Sequence, residues 1–229
     1  SAGGPIVKDK LFFYFNFESF EQTYPSFYGP VGSGATDEAY YVTQALVDRV
    51  RASASSLYGL DIGNYDSEQN NKSENTFLKL NYLINDNHEA EMSYIDTTSN
   101  LVKVRGNPPF GFALDSQWYD DRQGLEVVTT KLFSDWNDKL STQVTYSTRS
   151  QTDNQDPVRG DDFPSVSIVI NNGDGSCTGS SNCTNPFRTI WGSSRSGQYE
   201  TLRFGQDQFR YMNEIIVDSS QFTFKGFYA

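Results

Sequence analysis

Apolar and polar positions alternate with a period of two through much of the chain, the pattern of a strand with two unlike faces. Between 10 and 18, Leu11, Phe13, Phe15 and Phe17 fall on one face, and Phe12, Tyr14, Asn16 and Glu18 on the other. The same reading predicts strands near 72–84, 88–97, 124–135, 140–150, 205–217 and 221–229. Asn85-Asp86-Asn87, Trp136 to Lys139 and Asp218-Ser219 supply tight turns. The other connections, 19–71, 98–123 and 151–204, are long. Compact domains rarely carry such loops, whereas a membrane β-barrel alternates short turns on one side with long loops on the other. The expected fold is therefore all-β: a partial arc of a large antiparallel transmembrane β-barrel with long extracellular loops. An odd strand count makes it an arc rather than a whole barrel. A soluble β-sandwich with insertions is the alternative.

The first long loop contains a helix pattern. Thr36 is placed to cap it, Asp37 and Glu38 sit in its first turn, and Val42, Leu46, Val50, Ala54 and Leu57 form a narrow stripe that Gly59 ends. Such a helix would pack on neighbouring loops. In the third loop, Val166 to Ile170 reads as a small hairpin strand. Ser1 to Pro5 shows neither a basic region nor a cleavage pattern, so the chain reads either as the product of a processed precursor or as an interior piece of a longer protein.

Composition sharpens this picture. Aromatic residues make up 15% of the chain and the net charge is −11, a balance unsuited to wrapping nucleic acid. One His and two Cys leave no cluster for a structural zinc site, and no cofactor is implied. No apolar run is long enough for a membrane helix, which leaves membrane strands open.

Four stretches occur in an order that resembles TonB-dependent outer-membrane transporters of the Oar-like group. They are Gly3 to Phe13, Lys79-Leu80-Asn81-Tyr82 through His88, Trp118 to Arg122 with the turn at Trp136, and Phe209 to Glu214. The resemblance implies a middle portion of the barrel wall, without the plug. Its partners would be the remaining barrel, the plug, outer-membrane lipid, the TonB protein through a missing N-terminal part, and an unknown extracellular substrate. It implies active transport of a solute or of peptide or protein cargo in the outer membrane of a Gram-negative bacterium. The alternatives are a soluble or surface-anchored β-rich binding module, adhesin- or lectin-like, and a passive porin. No catalytic site recommends an enzyme.

Candidate residues follow from these readings. Lys79, Asn81, Glu89, Glu91, Gln143 and Arg149 lie on the more polar strand faces and would face a lumen or plug. Leu80, Tyr82, Val144 and Tyr146 would face lipid. Cys177 and Cys183, five residues apart in the third loop, are expected to form a loop-stapling disulfide. His88 lacks the placed partner and nucleophile that a general base needs. Asn171 to Gly175 lacks the closing Glu of a calcium loop, and Asp153, Asp156, Asp161 and Asp162 read as solvated acids.

Overall fold

Ladder pairing gathers the alternating segments into one antiparallel sheet, with the intervening loops collected at one end of it. The computed structural model describes residues 1–104, 111–160, 163–171, 199–207, 209 and 213–228. In chain order its elements are β1 (Ala2–Val7), β2 (Leu11–Tyr24), β3 (Tyr28–Val31), β4 (Asp37–Thr43), α1 (Gln44–Tyr58), β5 (Gln69–Asn85), β6 (His88–Lys103) and β7 (Phe112–Ala113). A 3-10 turn at Asp115–Gln117 follows, then β8 (Tyr119–Asn137), β9 (Leu140–Pro157), β10 (Val166–Asn171), β11 (Tyr199–Phe204) and β12 (Asn213–Tyr228).

The main sheet has seven strands in the order β1-β2-β5-β6-β8-β9-β12. Every neighbouring pair in it is antiparallel. It is an open sheet, with β1 and β12 at its two edges, and not a closed barrel. This corrects the expected transmembrane barrel. Lipid offers no partner for unpaired backbone, so strands span it only in a closed wall, and this sheet has two free edges among the described residues. No helix among the described residues is long and apolar enough to cross a membrane.

In the main sheet the strand pattern differs from expectation at both edges, and the strand expected at 205–217 and that at 221–229 are one strand that starts only at Asn213. β1 escapes the sequence reading because Gly3-Gly4-Pro5 lacks strand character, but it pairs with β2 as an edge strand, where a proline is tolerated. Asp9 forms the hairpin turn between them with φ of 56°, a left-handed conformation that aspartate tolerates. At the other edge, the expected turn at Asp218-Ser219 does not form. Asp218 pairs with Ser150 and Ser219 with Arg149 inside a ladder that runs unbroken from Asn213 to Tyr228. A full ladder outweighs the local turn preference of two polar residues.

The long connections build a second body, the crown, from α1 and the short strands. β3 pairs β4 in parallel; β10 pairs β11 antiparallel, and β11 pairs β7 in parallel. The hairpin strand expected at Val166 to Ile170 is β10. α1 ends where expected: Gly59 adopts φ of 68° and its N–H bonds the Ser55 carbonyl at 3.0 Å. It starts later than expected, because Asp37–Thr43 is drawn into β4. Thr43 therefore caps it, accepting from the Leu46 N–H at 3.2 Å. Leu57, predicted in the apolar stripe, is exposed, and Val47 and Ala54 make the buried face.

The buried apolar core belongs to the crown. Val42, Val47, Ile62, Phe112, Leu114 and Leu202 are each at most 1% exposed and come from five separate segments. Few strand residues of the main sheet are buried, Asp121 and Ser134 among them.

Candidate functional site

Ladder register places residues from distant strands side by side on one face. Lys72, Asn100, Arg122 and Asn154 are cross-strand neighbours across β5, β6, β8 and β9. The adjacent row on that face is Glu74, Thr98, Gly124 and Thr152. Together they line a groove of about 320 Å³ near the crown end of the sheet. Gly124 matters here for close approach: a Cβ at that position would lie 2.6 Å from the Thr152 hydroxyl oxygen.

The charges of the groove are already matched. Lys72 Nζ sits 2.9 Å from Glu74 Oε1, and this contact holds the ammonium above its ordinary pKa. Arg122 Nη1 lies 3.2 Å from Asp156 Oδ2, and its Nη2 lies 3.4 Å from Asp120 Oδ2. The amides are not matched. Asn100 Oδ1 and Asn154 Oδ1, on either side of Arg122, are buried without a hydrogen-bond partner among the described residues. A buried acceptor left bare costs about 1–3 kcal/mol, a cost that a donor reaching either oxygen would remove. Amides, threonine hydroxyls and a guanidinium suit a neutral ligand rich in hydroxyls better than an isolated ion.

Two further polar clusters have different roles. In the crown, Arg159 grips Asp115 through two parallel bonds, Nε to Oδ1 at 2.6 Å and Nη2 to Oδ2 at 2.8 Å. Its Nη1 reaches Asp61 Oδ2 at 3.0 Å. Asp115 also accepts from the Asn64 N–H at 2.8 Å and from the Ser67 hydroxyl. Gln117 Nε2 bonds the Gly205 carbonyl at 2.8 Å and Ser165 Oγ at 2.9 Å. These bonds tie loops from four parts of the chain together, which is a structural task. On the other face of the main sheet, Glu91 lies between Lys79 and Lys131, 2.8 Å from each ammonium. Bonds from Lys131 and then Lys79 hold its carboxyl below the usual glutamate range.

The register puts Lys79, Asn81, Glu89, Glu91, Gln143 and Arg149 on that second face. Asn81 Nδ2 donates to Glu89 Oε1 at 2.7 Å, Gln143 Nε2 donates to Thr145 Oγ1 at 3.2 Å, and Arg149 donates to Gln151. Leu80, Tyr82, Val144 and Tyr146 lie on the groove's face, in the apolar rows nearer the hairpins. His88 stands edge-on to the Trp136 ring at 5.2 Å. Asp156 pairs Arg122, while Asp161, Asp162, Asn172 to Gly175, Cys177 and Cys183 lie outside the described residues. The expected disulfide is therefore not among the described contacts.

Sequence reasoning missed Asn100 and Asn154 entirely and met Arg122 only within a longer motif. Their signal is faint: Thr98 with Asn100, Arg122 with Gly124, and Thr152 with Asn154 each stand two apart on a strand. Nothing in one strand alone says that the three pairs meet.

No protein-family model matches the chain, and no curated protein or solved structure does either. The resemblance to TonB-dependent transporters thus gains no support, and the open sheet removes its structural basis. The plug, the TonB protein, outer-membrane lipid and an outer-membrane location were all inferred from a closed wall, as was the passive porin. Each is corrected with it.

Proposed function

We propose that the chain is a β-rich binding module, lectin-like in its chemistry, which takes a neutral polyhydroxylated ligand in the groove between β5 and β9. The observation that carries this reading is the pair of partnerless amide oxygens of Asn100 and Asn154 flanking Arg122. Asn100 and Asn154 would turn their amides outward to accept from sugar hydroxyls, which accept in turn from the guanidinium and the threonines. The act is binding rather than turnover, since the groove presents amides, hydroxyls and paired charges instead of a nucleophile beside a base.

Titration of neutral mono- and oligosaccharides, followed by backbone amide chemical shifts, tests the reading. The expected result is saturable shifts centred on Asn100, Arg122 and Asn154. Replacing both asparagines by alanine should weaken binding by about tenfold or more, the worth of two hydrogen bonds. Shifts that avoid these residues for every sugar would reject the reading.

A further inference from the structure

The polar path on the groove's face continues past Gly124 and Thr152. Alternate residues of β9 share that face, so Asn154, Thr152, Ser150, Thr148 and Tyr146 follow one another along the strand. Thr152 lines the first groove, and Ser150, next on the face, lines a second one of about 400 Å³. Gly124, without a side chain, leaves the floor of the sheet open where the two meet. From Asn154 to Tyr146 the path covers about 27 Å, far more than one sugar ring fills.

The second groove has hydroxyl chemistry of its own. Thr148, Ser150 and Ser220 can each donate and accept. Glu126 and Asp218 flank Ser150 as its cross-strand neighbours on β8 and β12. Unlike the carboxylates of the first groove, neither is in an ion pair among the described residues. Ionised, they only accept, and a sugar hydroxyl is a donor that suits them. A metal ion suits them less, because no group of acidic or imidazole side chains among the described residues is placed to hold one. An acidic sugar would bring like charge to both.

Beyond the second groove the same face becomes apolar. Tyr146 and Phe222 stand opposite each other on β9 and β12, 49% and 67% exposed. The negative face of each ring attracts the C–H groups of a pyranose, so the pair serves as a platform where the hydroxyl-lined path ends.

We propose that the ligand is a linear neutral oligosaccharide lying along β9, from the amides of Asn100 and Asn154, through the second groove, onto the rings of Tyr146 and Phe222. The proposal rests on the reading of the first groove as a sugar site, and it adds the length of the ligand and its course over the sheet.

The probes are cello-, malto-, manno- and laminari-oligosaccharides, each from the monosaccharide to the hexasaccharide. Binding to the chain is read by calorimetry and by amide and aromatic-ring chemical shifts. In at least one series the dissociation constant is expected to fall by about tenfold or more between disaccharide and hexasaccharide. The shifts should spread with length from Asn100 and Asn154 to Ser150 and then to the Tyr146 ring. Tyr146→Leu with Phe222→Leu keeps apolar area but removes the flat faces, and should abolish most of the gain with length. An oligogalacturonate should bind about tenfold more weakly than the neutral hexasaccharide, and Glu126→Gln with Asp218→Asn should narrow that difference. Short sugars that shift Asn100 and Asn154, with no gain with length in any series, would overturn the oligosaccharide path and leave the first groove as the site. An absence of shifts at Asn100 and Asn154 for every sugar overturns both. A gain with length that survives the leucine pair, or equal binding of the oligogalacturonate, would also overturn the proposal.

Discussion

The crown and the main sheet hold their structure in different ways. The crown closes around Phe112, Leu114, Leu202 and Val42, all at most 1% exposed. The sheet is far larger, yet its strands keep most of their apolar side chains half exposed on two open faces. One body is held by burial and a polar clamp, the other by long unbroken ladders and cross-strand pairs. The lesson is that regular pairing and core formation are separable: the region with the clearest strand pattern is the one without a core. The polar groove lies near the crown end of the sheet, whereas the apolar edge of β12 runs the full length of the sheet to the hairpin end.

Removing a crown core side chain should produce the largest effect. Phe112→Ala is expected to cost about 3–5 kcal/mol through lost burial and a residual cavity. Urea titration monitored amide by amide should show the loss in β4, α1 and β11, with β8 and β9 holding. A loss shared equally by both bodies would erase the distinction. The clamp comes next. Asp115→Ala leaves the Arg159 guanidinium, the Asn64 N–H and the Ser67 hydroxyl without their acceptor, at about 2 kcal/mol, since Arg159 retains some solvent. Thr43→Ala removes the cap of α1 and should cost about 1 kcal/mol, measured as lower helix protection at the first turn.

The smallest effect belongs to the sheet. Glu91 titrates below the ordinary glutamate range because Lys131 and Lys79 bond its charged form. A depressed folded pKa means its contribution is fully present above the unfolded value and is lost as pH falls through the folded one. Glu91→Gln should therefore change stability by less than about 1 kcal/mol at neutral pH and flatten the dependence in the acidic window. A full-sized pH response in Glu91→Gln would assign the acid sensitivity to other carboxylates.

The faces of the sheet were readable from the chain because period-two alternation survives in β5, β6 and β9 regardless of what covers them. The ends of the sheet were not. Gly-Gly-Pro hides β1, and Asp218-Ser219 divides β12 on paper, because local preference says nothing about the ladder a neighbour offers. Alternating short and long connections pointed to a membrane barrel. In the structure the long connections gather at one end and build the crown, so an open sheet yields the same spacing. The crown core was illegible because Ile62, Phe112 and Leu202 are far apart in sequence and two of its strands are shorter than any detectable pattern. Asn100, Arg122 and Asn154 become a site only through register, which fixes neighbours that no single strand announces.

Residue-resolved hydrogen exchange of the isolated chain tests the central contrast most directly. The account predicts slow exchange for Val42, Val47 and Leu202 in the crown and for the central ladder of β8 and β9. Along β12, it predicts fast exchange of the amides that face away from β9. Protection of those amides to the level of β8 would mean the edge is already covered, and would contradict the account.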